Sequence, residues 1–135
     1  MNNALTQTAA ITGAGDGIGR ALAINLNNRG VKLYLCDIDQ ARLDATLAMC
    51  DTSRAMVNTA IVDCGNQTQI EAWAAAIIAD TTSLDFLFNN AGVAYSAEFR
   101  DASLDHFTWL MSIHYWGVVW STKALLSLPV APPAA

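Results

Sequence analysis

The stretch AAITGAGDGIGRALA, residues 9–23, places a cluster of glycines between an apolar run and a segment with helical periodicity. The glycines are Gly13, Gly15, Gly17 and Gly19. A pyrophosphate group binds to backbone N–H groups at a helix N-terminus, and residues without a Cβ let it approach closely. Because glycines also form ordinary turns, the stretch alone leaves two interpretations open, a nucleotide-binding turn and a structural turn.

The chain around this turn alternates between short apolar runs and helical patterns, which is typical of successive βαβ units. The apolar runs predict strands at 8–12, at 32–37, within 55–63 and at 84–90. The helical patterns predict helices at about 17–28, 39–50, 67–79 and 103–128. These elements predict a parallel sheet with helices on both faces, because parallel strands are covered on each side.

An acidic residue, Asp37, ends the second predicted strand, about 20 residues after the glycines, where an acid contacts the adenosine ribose hydroxyls of a dinucleotide. Asp37 could instead cap the following helix, as could Asp39. Asp16 also lies in the glycine turn, and neither Asp16 nor Asp37 has a neighbouring Arg or Lys in the sequence. A 2′-phosphate would be repelled there, which favours NAD(H) over NADP(H).

Two motifs resemble those of the short-chain dehydrogenase/reductase family. TGAGDGIG, residues 12–19, resembles the TGxxxGIG turn of that family, and NNAG, residues 89–92, resembles its second marker. The resemblance extends from residue 6 to about residue 129 and covers the first half of the family pattern. It implies a Rossmann-like, doubly wound α/β fold, truncated to about four strands in the order 3-2-1-4.

The same resemblance implies a set of cofactor contacts. Asp63, at the end of the third strand, would bond the adenine amino group, while Asn89, Ala91 and Gly92 would line the cofactor and brace the central strands. In the glycine turn, the implied cofactor contacts are Gly13, Gly15, Asp16, Gly17, Ile18 and Gly19.

Catalysis in the resembled family uses a serine, a Tyr-x-x-x-Lys pair and a helix asparagine, with the tyrosine exchanging a proton with the substrate oxygen. No lysine lies four residues after Tyr34, Tyr95 or Tyr115. None of the four family groups stands at its expected place, so we assign no catalytic residue; His114 aligns with the helix asparagine and is a candidate substitute, although a His on an apolar face is also an ordinary core residue. His106 and His114 lack a third ligand, so we expect no metal site.

The predicted helix 103–128 carries a second apolar stripe that needs cover. The stripe consists of Trp109, Ile113, Trp116 and Trp120. Members of the resembled family often pair through this helix, so we expect a homodimer or a higher oligomer. The alternative is that neighbouring helices of the same subunit cover the tryptophans.

Composition narrows the classes of partner and compartment. With 7 basic and 12 acidic residues, the net charge of −5 argues against nucleic-acid binding. No apolar stretch approaches the roughly 18 residues that span a bilayer, and the start lacks a secretion signal, so we expect a cytoplasmic protein without membrane contact. The 3 cysteines form no CxxC pair, and we expect them to be small, reduced core residues.

The chain departs from the family pattern after Pro129. We therefore expect one domain at 1–128 and a Pro/Ala-rich tail at 129–135. Three functions stay open: an NAD(H)-binding protein without the catalytic half, an oxidoreductase completed by a partner chain or by His114, and a non-catalytic interaction module that pairs through the 103–128 helix.

Overall fold

The apolar runs form parallel strands, and the periodic segments between them form helices, in a computed structural model that describes residues 6–130. The elements, in chain order, are β1 (Thr8–Thr12), α1 (Gly17–Asn28), β2 (Lys32–Asp37), α2 (Gln40–Ala48), β3 (Val57–Ile61), α3 (Gln67–Asp80), β4 (Phe86–Phe88), α4 (Leu104–Met111), a π-helical turn (Ser112–Trp116) and α5 (Gly117–Leu125).

The described residues form one sheet of four strands in the order β3-β2-β1-β4, and every pairing is parallel. This confirms the predicted fold class and strand order. Every residue of β1 is buried, whereas β3 and β4 are partly exposed because each lies at one end of the order. The chain order reverses between β1 and β4, which is where doubly wound folds bind their ligands.

Alternating residues of the central strands form two cores. Ala9 and Ile11 of β1 face α1 and α2, in a cluster that includes Leu43. Ala10 faces the opposite side, where α3 and α5 pack with residues such as Trp73 and Leu125. Because successive strand residues point to opposite faces, the two helical layers fix both sides of the sheet.

The last helix differs from the continuous α-helix that the sequence predicts. The backbone N–H of Gly117 donates to the carbonyl of Ser112, five residues earlier, and this i→i+5 bond defines the π-helical turn. A Cβ on Gly117 would lie 2.5 Å from the carbonyl oxygen of Cys64, so the missing side chain lets the helix approach the loop after β3.

Two of the four stripe residues, Ile113 and Trp120, do not form the exposed partner-facing surface that the sequence predicts. Ile113 is only 8% exposed and Trp120 packs partly buried against the α3 core, so both contact their own subunit. The physical reason is the close approach at Gly117, which turns Ile113 towards the loop at Gly65. Trp109 and Trp116 remain exposed, at 42% and 47%.

Pro129, the first residue of the predicted tail, makes a backbone hydrogen bond to the domain. The carbonyl of Pro129 accepts a hydrogen bond of 3.0 Å from the N–H of Leu84, just before β4. Pro129 therefore contacts the folded domain, and the boundary at 128/129 stays a prediction. The remainder of the expected tail, residues 131–135, lies outside the described residues.

A side-chain cluster at the start of the sheet gives the first prediction. Asp80 accepts from the hydroxyl of Tyr34 at 2.5 Å and pairs with Lys32 at 3.2 Å. The Tyr34 hydrogen bond, helped by Lys32, lowers the pKa of Asp80 below its usual value of 3.8. The ionised carboxylate therefore stabilises the fold above its unfolded-state pKa, and this contribution is lost as the pH falls through the lowered folded-state pKa.

We expect Asp80→Asn to lower the free energy of unfolding at pH 7 and to reduce its fall between about pH 5 and pH 2. Urea unfolding at a series of pH values measures both effects. Glu71→Gln, on the same helix, is the control, because the carboxylate of Glu71 is exposed and accepts only from Gln67. An equal change in both variants would contradict the role of the Tyr34–Asp80–Lys32 cluster.

Candidate functional site

A cleft of about 490 Å³ opens at the carboxyl ends of the strands, between the glycine turn and the segment after β4. Its charged lining residues, among those the structure describes, are Asp16, Asp37, Arg42 and Asp63. Of the residues that the sequence assigns to a cofactor, seven line this cleft: Gly13, Asp16, Gly17, Asp37, Asp63, Ala91 and Gly92.

The glycine turn is shaped by close contact with the segment after β4. A Cβ on Gly19 would overlap the carbonyl oxygen of Gly13 and lie 2.6 Å from the Asn90 amide nitrogen. A Cβ on Gly13 would lie 2.8 Å from the Cα of Ala91. Gly19 is buried and does not line the cleft, so it acts through packing.

The carboxylate of Asp37 is held in place by two backbone donors. Its Oδ2 accepts from the N–H of Gly15 at 2.9 Å, and its Oδ1 accepts from the N–H of Asp39 at 2.9 Å. Asp39, not Asp37, caps α2 by accepting from the N–H of Arg42. Each carboxylate oxygen keeps a lone pair that a ligand hydroxyl can use.

A cation stands beside these acids, contrary to the sequence expectation that none does. Arg42, in the first turn of α2, lines the cleft and pairs with Asp16 at 3.8 Å and with Asp39 at 3.7 Å. Sequence reasoning missed it because the helix turns Arg42 back towards the glycine turn. Its side chain is largely exposed, so these ion pairs contribute little to stability.

The side chains of the two asparagines of NNAG make hydrogen bonds to different parts of the fold. The side chain of Asn90 lines the cleft and donates to the carbonyls of Thr12 at 3.2 Å and Gly13 at 3.1 Å. Asn89 instead accepts from Ser121 at 2.6 Å and donates to Thr122 at 3.1 Å, so its side chain braces α5. The sequence expectation named Asn89 and missed Asn90.

The other expected contacts lie at the margin or beneath the cleft. Ile18 is 79% exposed at the start of α1, and neither Ile18 nor Gly15 lines the cleft. Asp63 lines it and accepts from the N–H of Gly65 at 2.8 Å. Further lining residues are Ile38, Val62, Cys64 and Val93, together with Trp109 and Ile113 of the tryptophan stripe.

His114 lies above the loop after β4. Its Nε2 is 3.1 Å from the Val93 N–H and 2.6 Å from the Val93 carbonyl oxygen, so that nitrogen either accepts or donates, depending on the tautomer. Its Cε1 also lies against Gly92. The imidazole therefore bonds the backbone beside the cleft rather than standing free as an acid.

The sequence and structure have clear relatives. A family model described as short chain dehydrogenase matches residues 7–131. The chain belongs to this family. "Putative oxidoreductase SadH" of Mycobacterium tuberculosis is 35% identical over 125 residues, which cover 93% of this chain and 45% of the relative. The chain spans less than half the length of the curated relatives it matches.

Solved structures agree with this assignment. A short-chain dehydrogenase/reductase from Burkholderia phymatum in complex with NAD has a TM-score of 0.85 and 31% identity, over 92% of this chain and 44% of its own. A metagenomic short-chain oxidoreductase in complex with NADP has a TM-score of 0.84 over 90% of this chain and 55% of its own. At 24% identity, the second likeness shows the fold alone.

A membrane-spanning helix and a metal-binding cluster are both absent from residues 6–130. No helix there has the length and apolar character needed to cross a bilayer. Nor does that part of the chain bring three His, Cys, Asp or Glu side chains together in an arrangement that could hold a metal ion.

The glycine turn gives the second prediction. Gly19→Ala forces a Cβ against the Gly13 carbonyl, and we expect it to lower the free energy of unfolding by about 3 kcal/mol, as strained core substitutions do. Gly17→Ala is the matched control, because its Cβ meets nothing within 4 Å and only its φ of +51° opposes a side chain, at about 1 kcal/mol. Urea unfolding measures both; an equal or larger loss in Gly17→Ala would contradict the contact.

Proposed function

We propose that this chain binds NAD(H) in the cleft and is the cofactor-binding part of a short-chain oxidoreductase. The observation that carries the proposal is the fixed carboxylate of Asp37 at the end of β2, beside the glycine turn. Because its bonds to Gly15 and Asp39 leave lone pairs open to the cleft, Asp37 can accept from both adenosine ribose hydroxyls without rearrangement.

The rest of the cleft suits the remaining parts of the dinucleotide. The pyrophosphate lies at the start of α1, where the helix dipole and backbone N–H groups favour an anion. Asp63 accepts from the adenine amino group, by the family resemblance. Ala91 and Gly92, two small residues at the end of β4, give the nicotinamide half room beside the sheet.

Charge supports NAD(H) over NADP(H). Three carboxylates, those of Asp16, Asp37 and Asp63, face one cation, Arg42, among the described lining residues. Arg42 is already paired with Asp16 and Asp39. A 2′-phosphate on the ribose would replace a hydroxyl that donates to Asp37 with a group that Asp37 repels.

The reaction class follows from the family: hydride transfer between the nicotinamide and an alcohol or ketone. The 135 residues contain no Tyr-x-x-x-Lys pair. Turnover by these residues alone is therefore absent or very slow, since no lysine lies four residues after a tyrosine to assist proton transfer to the substrate. Activity needs those groups from further sequence or from a partner chain, because His114 is engaged by Val93.

Binding is tested by calorimetric titration with NADH and NADPH, and this is the third prediction. We expect Asp37→Asn to weaken NADH about tenfold, because a charge-assisted bond becomes a neutral one, and to narrow the difference from NADPH. Asp44→Asn, whose carboxylate accepts from Gln40 on the exposed face of α2, leaves both affinities unchanged. Unchanged NADH binding in a folded Asp37→Asn protein would contradict the site.

Arg42→Gln, measured in the same titration, tests whether Arg42 contributes to binding of the NADPH 2′-phosphate. If Arg42 is committed to Asp16 and Asp39, its removal leaves the NADH affinity unchanged within about twofold, since neutral hydroxyls do not need a cation. A loss of NADPH binding larger than the loss of NADH binding would instead assign Arg42 to a 2′-phosphate and overturn the cofactor preference.

We also propose that the chain forms a homodimer through the exposed face of the last helix. Trp116 supports this, because it is 47% exposed and stacks on Trp120 outside the cleft, and an exposed aromatic surface of this kind is one that a partner covers. The unpaired state of all 3 cysteines suits a reducing compartment such as the cytoplasm.

The fourth prediction concerns this dimer. We expect Trp116→Glu to shift the mass measured by light scattering from two chains towards one, because a carboxylate in an apolar interface is not solvated. Lys123→Glu, an exposed residue on α5, is the control for a charge change on the helix. A monomeric wild-type protein at micromolar concentration would contradict the proposal.

A further inference from the structure

Two side chains beneath the glycine turn bind its backbone carbonyls. Arg20, near the start of α1, donates from its guanidinium to the carbonyl of Gly15 at 2.5 Å and to the hydroxyl of Thr46 at 3.0 Å. Thr46, a fully buried residue of α2, donates from the same hydroxyl to the carbonyl of Ala14 at 2.8 Å. Neither Arg20 nor Thr46 lines the cleft, so any effect of theirs on a ligand passes through the turn.

The same two side chains also reach the first turn of α2. Arg20 donates to the carbonyl of Arg42 at 3.2 Å, and the Thr46 hydroxyl lies 3.3 Å from that oxygen. Arg20 reaches this far because a helical side chain points back towards the start of its helix. Sequence analysis predicted no role for either residue, since Thr46 lies 32 positions after Ala14.

These bonds determine which way the peptide groups of the turn face. In a trans peptide, the C=O and the N–H of one group point in opposite directions. The carbonyl of Ala14 is held by Thr46, and the N–H of the same peptide group, on Gly15, faces the other way and donates to Oδ2 of Asp37 at 2.9 Å. Thr46 therefore fixes the donor that in turn fixes the Asp37 carboxylate.

The glycines make this orientation easy to lose. Gly15 has no Cβ to restrict its φ and ψ, so the peptide groups on both sides of it could rotate at little steric cost. A rotation that turned the Gly15 carbonyl into the cleft would face an anionic pyrophosphate with a partial negative charge and would turn the Asp16 N–H away from it. Because Arg20 holds the Gly15 carbonyl, that rotation is opposed.

We propose that Arg20 and Thr46 are positioning residues of the dinucleotide site, which hold the peptide groups of the glycine turn in the orientation that binds the cofactor. Through the Gly15 N–H, they also fix Asp37 for the adenosine ribose. This inference rests on the proposed function. The guanidinium strengthens the arrangement, because its charge polarises the Thr46 hydroxyl to which it donates.

Four variants separate positioning from general stability. Arg20→Met removes the guanidinium and keeps an unbranched side chain that suits a helix. Thr46→Val removes the hydroxyl and keeps a similar buried shape, whereas Thr46→Ser keeps the hydroxyl. Arg29→Met is the matched control for charge, because Arg29 is an exposed residue at the other end of α1.

The first arm follows amide hydrogen exchange by NMR without ligand. We expect Arg20→Met and Thr46→Val to speed exchange at the Gly15 N–H about tenfold, because its peptide group is no longer held. The N–H of Leu35, buried in β2, reports on global stability and should change less. Equal acceleration at Gly15 and Leu35, or none at Gly15, would overturn the positioning role.

The second arm, and the fifth prediction, compares by calorimetry the binding of NADH and of its analogue without the adenosine 2′-hydroxyl. Both ligands carry the same charge, so the ratio of their affinities is insensitive to the lost arginine charge and to partial unfolding. We expect the wild-type protein and Arg29→Met to bind NADH about tenfold more tightly than the analogue. Arg20→Met and Thr46→Val should bring this ratio to within about twofold of one, and Thr46→Ser should restore it.

The outcomes separate this proposal from the proposed function. Unchanged ratios in folded Arg20→Met and Thr46→Val proteins that still bind NADH would overturn the positioning role and leave the proposed function standing. A ratio that falls equally in Arg29→Met would assign the effect to charge alone and would also overturn the positioning role. A wild-type protein that binds neither ligand would refute the proposed function, and this proposal with it.

Discussion

The contact of the glycine turn with the end of β4 is the constraint on which the cleft depends. Gly13 and Gly19 let the turn, the start of α1 and the segment at Asn90 meet without side chains between them. Asn90 then joins Thr12 and Gly13 by side-chain hydrogen bonds across the point where the strand order reverses. The cleft is the space that this packing leaves at the carboxyl ends of the strands.

The charge and hydrogen-bond pattern of that cleft is the basis of the proposed function, in which ligand hydroxyls lie near β2 and an anionic group lies near α1. Asp37 is fixed by two N–H donors, so its free lone pairs are already positioned for a hydroxyl donor. Arg42 moderates the negative charge but is paired elsewhere. Cys64 also lines the cleft.

Much of this arrangement could be predicted from the sequence, because hydrophobic periodicity and the glycine motif are local signals. They predicted the parallel sheet and the glycine turn at Gly13, while the strand order and the places of Asp63, Ala91 and Gly92 were implied by the family resemblance. The signals failed where distant segments decide the outcome. The π-helical turn depends on Gly117 packing against the Cys64 carbonyl, and Arg42 reaches the cleft only because α2 turns back towards the glycine turn. Neither contact produces a periodic pattern in the sequence from which it could be predicted.

The central claim is that the cleft binds a nicotinamide dinucleotide. It is tested most directly by following backbone amide signals in NMR during titration with NADH. The account predicts saturable chemical-shift changes of the amides around the cleft, at Gly13, Gly15, Asp63 and Gly92, with little change along the edge of β3. A folded protein whose amide signals do not move, or move mainly away from the glycine turn, would contradict it.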